Sequence, residues 1–401
     1  MKLKNNKSIY FDHSASTPVG KDVLKSMLPY FTKNYGNASS LHHFGQSAFS
    51  AVDEARKNTA EFLNCLPDEI IFTSGATESD NLAVLGVVGA LKKKYKTEKL
   101  HVITSAIEHP AVSEPFRKLE SEGVEVDYLP VGENGAVDPE VFEKAVKGNT
   151  VFVSIMYVNS EIGSIQPIAE IGKIIEKINR NRTENNKIYF HTDAVQAVNF
   201  LNCDVKKLGV DLLSMSGHKI YGPKGIGALF AKRGTPMAAM QLGGHHEKNL
   251  RSGTLNVPGI AGMGSAVKIC AKDKEKNNKK ILKLRNEFIS EIKKLVPEII
   301  VNTDMKNSVP SHANISFIGA EGEAILMALG LESIAVSTGS ACASSDLKTS
   351  PTLKAIGLRD EAAHGAIRFT FGKNNTRAEI KAALDILPAI VERLRKMAPV
   401  L

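Results

Sequence analysis

The chain has 401 residues, with 51 Lys and Arg against 43 Asp and Glu, a net charge of +8. Its 43% hydrophobic and 23% charged content is ordinary for a globular protein and excludes collagen-like, disordered and membrane-embedded classes for the chain as a whole. No apolar run approaches the ~18 residues that cross a bilayer, and the polar, basic Met1–Tyr10 has no signal-peptide core, so the cytoplasm is the expected location.

The positive excess is spread over Lys92–Lys96, Asn179–Lys187 and Lys272–Lys280. That reads as solvated faces. With 6% aromatics and no Trp, the chain lacks the basic, aromatic-interleaved stripe of a nucleic-acid binder, and no direct nucleic-acid contact is expected. An anionic small molecule or an acidic protein partner accounts for the charge equally well.

In chain order, short buried strands are expected at Ile70–Phe72, Leu100–Thr104, Val124–Tyr128, Val151–Met156, Ile188–His191, Leu212–Ser214 and Ile226–Phe230. Amphipathic helical stretches lie between them at Ser47–Phe62, Ala111–Glu122, Pro139–Val146 and Ile168–Asn179. The alternation predicts an α/β fold, a large domain over 16–260 with a mostly parallel seven-stranded sheet. After Ile260 the texture changes. A long helical pattern, Ile260–Leu295, carries a lysine-rich face. Then come strand Asn314–Phe317, helix Glu321–Leu329, strand Ser333–Val336, strand Ala366–Phe371 and helix Arg377–Met397. This predicts a smaller α+β C-terminal domain, made of 1–15 and 261–401, with a loop at about 337–352.

Three strand ends carry candidate chemistry. Ser74–Asn81 follows the first long strand. A small-residue turn that opens a helix offers free N–H groups to an anion, although simple capping by Ser74 or Thr77 explains the same residues. Asp193, in His191–Gln196, could pair with a pyridinium nitrogen or cap a helix. Lys219, in Ser216–Lys219, could be a Schiff-base amine or an ordinary loop lysine. A phosphate cradle, an Asp and a Lys in this order suit a pyridoxal 5'-phosphate site. Of the four cysteines, Cys65, Cys203 and Cys270 lie in apolar or mixed contexts. Cys342 lies in a small, polar stretch and is the candidate nucleophile. No zinc spacing is present, and the adjacent His245 and His246 make a poor metal pair.

The ordered motifs resemble the cysteine desulfurases of the NifS/IscS type, in the class-V aminotransferase family of fold-type I pyridoxal-phosphate enzymes. They are Tyr10–Pro18, Gly36–His42, Thr73–Asn81, Glu108-His109, Ser216–Gly225, Arg251–Thr254, Val336–Cys342 and Ile367–Phe369. The resemblance covers nearly the whole chain. It implies that Lys219 carries the cofactor, Asp193 pairs with its ring nitrogen and Gln196 with its phenolic oxygen. His109 would stack on the ring and move protons. Thr77, Ser216, His218 and the amides of Ala76 and Thr77 would hold the phosphate, and Thr254 would reach the phosphate of a second copy in a homodimer. Arg368 would clamp the carboxylate of L-cysteine, with Asn159 nearby. Cys342 would take the substrate sulfur as a persulfide, leaving L-alanine, and pass it to a sulfur-acceptor protein such as an iron–sulfur scaffold or a tRNA-thiolation protein.

The sequence departs from the family pattern at Ser160, in Val158–Gly163, where a second Asn is usual. A serine hydroxyl is shorter but still donates, and altered cofactor electronics or lower activity is the expected consequence. The competing readings are a selenocysteine lyase or another fold-type I enzyme, and a weakly active regulatory homologue.

Overall fold

The computed structural model describes residues 8–94, 99–183, 186–338 and 349–397. In chain order its strands are β1 (Ile9–Tyr10), β2 (Ile70–Thr73), β3 (His101–Ser105), β4 (Glu125–Leu129), β5 (Thr150–Ser154), β6 (Tyr189–Asp193), β7 (Leu212–Ser216), β8 (Gly227–Ala231), β9 (Ile299–Val301), β10 (His312–Phe317), β11 (Ile334–Ala335) and β12 (Ala366–Thr370).

The seven strands expected from apolar runs all form, and they make one sheet ordered β2-β8-β7-β6-β5-β3-β4. Strands β3 to β7 run parallel to one another. Strand β8 alone opposes them, because both β2 and β7 pair with it antiparallel. Strands β3, β5, β6 and β7 are buried at every residue, as expected where helices cover both faces of a parallel sheet. The order reverses between β3 and β5. β4 lies on one side of β3 and β5 on the other, so the connections diverge there and open a crevice at the strands' carboxyl ends.

One core packs between the sheet, helix His43–Leu63 and the first half of helix Val257–Leu295. The two helices cross closely at Gly264, where an added Cβ would lie 2.6 Å from the Cα and Cβ of Ala55. Residues Val257 to Cys270 of the long helix belong to this core, and residues Ile281 to Ile292 belong to another. The other core collects Phe11, Phe288, Phe369 and Phe371 around the antiparallel sheet β12-β10-β9 and helix Arg377–Met397. Phe288 lies 4.8 Å from Phe369, and Phe11 5.0 Å from Phe371, between ring centroids.

Two strands have little signal in the sequence. β9 is three residues long and only partly buried, and β1 is two residues long. The stretch expected as strand Ser333–Val336 is ordered as β11, and it pairs parallel with β1. Residues 9–10 are thus stitched to the C-terminal third of the chain, and the segment that follows them, 11–17, is led across to the large sheet.

Candidate active site

The carboxyl ends of β2, β3, β5, β6 and β7 deliver the predicted residues. After β7 the chain makes a tight turn through Gly217–Lys219. Thr17 pins this turn from outside. Its N–H and hydroxyl both donate to the His218 carbonyl, at 2.9 and 2.8 Å. Its hydroxyl also accepts the Tyr221 N–H at 2.8 Å, which holds Tyr221 at φ +63°. Gly222 is required here, since a Cβ would lie 2.7 Å from the Gly217 carbonyl. The turn presents Lys219 to the N-terminal segment, where Nζ donates to the carbonyls of Ser14 at 2.5 Å and Ala15 at 2.8 Å. Gln196 Nε2 donates to the same Ser14 carbonyl at 3.0 Å. Lys219 and Gln196 are therefore brought together by a backbone segment 180 residues and more distant in sequence.

Asp193, the last residue of β6, is buried. Its Oδ1 accepts the Val195 N–H at 2.9 Å. Burial pushes its carboxyl up, and the nearby His109 and Lys219 pull it back down. His109 caps the helix Pro110–Ser121 through Nδ1, which accepts the Ala111 N–H at 3.1 Å. That leaves Nε2 as the end able to carry a proton. Burial lowers the His109 pKa, with Asp193 opposing the shift and Lys219 adding to it.

Beneath Asp193 lie two further acids. Asp80 is fully buried, neither of its oxygens has a hydrogen-bond partner among the described residues, and its nearest basic contact is His191 Nε2 at 3.5 Å. Burial and the charge of Asp193 raise its carboxyl well above the usual range. Glu108 accepts at Oε1 from Ser105 Oγ at 2.5 Å and Met156 N–H at 2.9 Å. Its Oε2 is buried without a partner, and burial pushes its pKa up to about 8. Burial thus raises all three carboxyls, and of the three only Asp193 has basic side chains, His109 and Lys219, pulling its pKa back down.

The cradle forms where β2 ends. Glu78 Oε2 accepts the Ser74 N–H at 2.7 Å, and Arg251 Nε holds Glu78 Oε1 at 2.8 Å. No side chain caps the helix that starts at Ala76, and an added Cβ on Gly75 would meet nothing within 4 Å. Gly227 of β8 packs against the Gly75 backbone and pairs with Ser216 of β7, which sets Ser216 beside the turn. Thr77 is exposed there. His218 Nδ1 lies 3.3 Å from Ser16 Oγ, and burial together with Lys219 lowers its pKa to about 4. The donor set, open N–H groups with the hydroxyls of Thr77 and Ser216, suits a phosphate. A buried carboxylate and a lysine at adjacent strand ends suit a pyridinium aldehyde.

Arg368, on β12, is buried. Its Nη2 pairs with Asp12 at 2.9 Å and its Nη1 donates to the Ser160 carbonyl at 3.0 Å. Nε is buried without a partner. The Ser160 carbonyl also accepts from Ser14 Oγ at 2.8 Å and lies 3.2 Å from His312 Nε2. Asn159 is buried and used up within the protein. Its amide donates to the Ile107 carbonyl and Thr352 Oγ1, and its oxygen accepts the N–H groups of Glu161 and Ile162. It shapes the turn that carries Ser160. Thr254 is exposed on the loop after Arg251 and joins none of these contacts. Cys342 lies outside the described residues. Burial pushes the thiols of Cys65 and Cys203 up to about 12 and that of Cys270 up to about 11, so none of these three is suited to act as a thiolate.

The sequence assigned no role to Asp12, Ser14, Asp80 or Glu161. Asp12 and Ser14 stood within a recognisable motif, Tyr10–Pro18. Nothing local marks a carbonyl as the ligand of a lysine, and only the fold reveals it.

The sheet and its strand-end residues are those of an aminotransferase-like enzyme, and the family model for aminotransferase class V matches residues 9–383. The chain belongs to that family. It is 45% identical over 393 residues to a cysteine desulfurase IscS of Dictyoglomus turgidum, covering 98% of this chain and 97% of the relative. Its fold matches a solved NifS-like protein with a TM-score of 0.89 at 34% identity, covering 97% of this chain and all of the other. It also matches a structure of SspA in complex with cysteine, with a TM-score of 0.79 at 34% identity over 92% of this chain and all of that one. Within the class-V family, the chain is a member of the cysteine desulfurases.

Proposed function

We propose that this enzyme uses pyridoxal 5'-phosphate on Lys219 to convert L-cysteine to L-alanine, with the sulfur left as a persulfide on Cys342. The observation that carries the reading is the placement of Lys219, Asp193, His109 and the Ser74–Thr77 turn at the carboxyl ends of β7, β6, β3 and β2 of one sheet, with His109 and Lys219 both acting on Asp193. It is supported by 45% identity to a desulfurase along the whole chain. When bound, the cofactor supplies an electron sink for the bonds at the substrate Cα.

The chain's own groups do the rest. Asp193 would pair with the ring nitrogen and keep it protonated. Gln196 and the Ser160 hydroxyl would face the phenolic oxygen. The Ala76 and Thr77 amides, with Thr77, Ser216 and His218, would bind the phosphate. Arg368 would bind the substrate carboxylate through the N–H groups that Asp12 and the Ser160 carbonyl leave free. Lys219 Nζ, oriented by the Ser14 and Ala15 carbonyls, takes the Cα proton and returns it, and His109 Nε2 serves the leaving side. The Cys342 thiolate attacks the substrate sulfur. The S–S bond forms, the C–S bond breaks, and its electron pair stays with the carbon and takes a proton.

Large apolar side chains are exposed along residues 24–49, among them Leu28, Phe31, Tyr35 and Leu41. This is more than a monomer's scattered surface and supports a homodimer in which Thr254 reaches the second copy's phosphate. Residues 16–260 serve as the large domain, and 1–15 with 261–401 as the small one. No helix among the described residues is long and apolar enough to cross a membrane, in keeping with a cytoplasmic enzyme that hands sulfur to a soluble acceptor. The test is alanine release from L-cysteine with a reductant, run beside Cys342→Ala. Alanine from the wild type alone is expected. Equal release from both refutes the persulfide step, and none from either refutes the activity.

A further inference from the structure

Ser14 is buried, and each of its three polar atoms is bonded to a different part of the site. Its N–H donates to Thr370 Oγ1 at 2.9 Å. Thr370 stands two residues after Arg368 on β12, so the two side chains share one face of that strand. The Ser14 hydroxyl donates to the Ser160 carbonyl at 2.8 Å, the same oxygen that accepts Arg368 Nη1 at 3.0 Å. The Ser14 carbonyl accepts Lys219 Nζ at 2.5 Å and Gln196 Nε2 at 3.0 Å. One residue thus reaches β12, the turn after β5, and the chain that follows β6 and β7.

The two cations at the ends of this path are held by other groups as well. Arg368 Nη2 pairs with Asp12 at 2.9 Å. His312 of β10 reaches the Ser160 carbonyl through Nε2 at 3.2 Å, and its Nδ1 lies 2.9 Å from Ser311 Oγ. Burial lowers the His312 pKa to about 3, so the ring is neutral, with Nε2 as the donor to the carbonyl and Nδ1 as the acceptor of the Ser311 hydroxyl. Lys219 Nζ donates to the Ala15 carbonyl at 2.8 Å as well. At its other end the 14–17 segment is pinned to the Lys219 turn, where the Thr17 hydroxyl donates to the His218 carbonyl. The segment therefore belongs with the lysine, and Ser14 is where it is fastened to the arginine. Removing the Ser14 hydroxyl strips neither cation of its partners. It removes a tie that fixes one relative to the other.

We propose that Ser14 is a positioning residue that sets the spacing between the Lys219 amine and the Arg368 guanidinium, through its N–H on Thr370 and its hydroxyl on the Ser160 carbonyl. This rests on the desulfurase reading of Lys219 and Arg368. The substrate carboxylate sits on Arg368 while Lys219 takes the Cα proton, so the spacing decides whether the Cα–H bond meets the amine. A displaced Cα–H bond slows proton transfer steeply, while Arg368, still aimed by Asp12 and the Ser160 carbonyl, keeps its hold on the carboxylate. Loss of the tie therefore acts on the proton step and spares binding.

The experiment uses the holoenzyme with L-alanine in deuterated water, an amino acid that docks its carboxylate but offers no sulfur. The Cα–H bond breaks, its proton goes to Lys219 Nζ and its electron pair rests in the cofactor. The amine exchanges with solvent, and a deuteron returns to Cα. Proton NMR follows this exchange, and L-alanine affinity is read separately from the cofactor's absorbance. Ser14→Ala is expected to slow saturated exchange about tenfold while affinity stays within about twofold of the wild type. Thr370→Val keeps the Ser14 hydroxyl but withdraws the acceptor of its N–H, and is expected to give the same split. A merely structural role lowers affinity and exchange together. The proposal is overturned if Ser14→Ala exchanges at the wild-type rate, or if its affinity falls as far as its exchange. Wild-type exchange in Thr370→Val overturns it too, an arm that stands even if Ser14→Ala does not fold. A wild type that exchanges the Cα hydrogen of L-alanine but releases no alanine from L-cysteine fails the desulfurase reading alone; one that does neither overturns both.

Discussion

Replacing Glu108 by Gln changes how stability depends on pH, and the structure gives the sign. The Glu108 carboxyl is pushed from the ordinary 4.5 to about 8 by burial, with Asp193 adding to the shift. Above pH ~5 the unfolded chain has released this proton while the folded chain still holds it. Stability therefore falls as pH rises from the unfolded value and levels off only above the folded one. One such proton changes stability by about 1.4 kcal/mol per pH unit at most, so its contribution between pH 5.5 and 7.5 is on the order of 2–3 kcal/mol. Gln keeps the shape and still accepts from Ser105 and the Met156 N–H, but it cannot ionise. It places an amide where Oε2 has no partner, which costs about 1–3 kcal/mol at every pH. The absolute stability of the variant is thus a poor readout and the slope a good one. Urea unfolding of both proteins at pH 5.5, 6.5, 7.5 and 8.5 measures it. The wild type is expected to lose stability with pH more steeply than Glu108→Gln, and the difference to flatten above pH ~8. Parallel slopes would refute the claim that Glu108 is held neutral beneath Asp193.

Two further outcomes follow from packing and pairing. Gly264→Ala gains about 1 kcal/mol of helix propensity but drives a methyl to 2.6 Å from Ala55. The clash, about 1–3 kcal/mol, is expected to win and lower the melting temperature; an unchanged or higher one shows that the helices part freely. Asp12→Ala removes the partner that aims Arg368 Nη2 and is expected to raise KM for L-cysteine about tenfold with kcat little changed, while Asp12→Asn recovers most of the loss. A fall in kcat alone would place Asp12 elsewhere in the reaction.

Much of this protein was legible in its sequence because the signals are local. The seven apolar runs became the seven strands of the sheet, since strands covered on both faces are rich in apolar residues, although the edge strand β4 is only partly buried. Asp193, Lys219 and the Ser74–Thr77 turn could be singled out because each stands at a strand end, where a parallel sheet opens toward its ligand. Cys203 and Cys270, which are buried, and the partly buried Cys65 could be set apart from Cys342 by their apolar or mixed surroundings. What the sequence did not reveal was held by long-range contacts. β1 has two residues and no periodicity, and it exists because β11 is there to pair with it. That pairing leads Ser14 and Ala15 to the Lys219 amine and Asp12 to Arg368. Backbone carbonyls carry no mark of their identity in a sequence, so their role as ligands could come only from the fold. The acids beneath the site behave alike. Asp80 and Glu108 read as ordinary polar residues at a helix start and a loop, and only burial beside Asp193 forces them toward their neutral forms. The sequence determined which candidate side chains stand at the strand ends. Tertiary structure decided their charge states and what holds them, because both depend on desolvation and on neighbours distant along the chain.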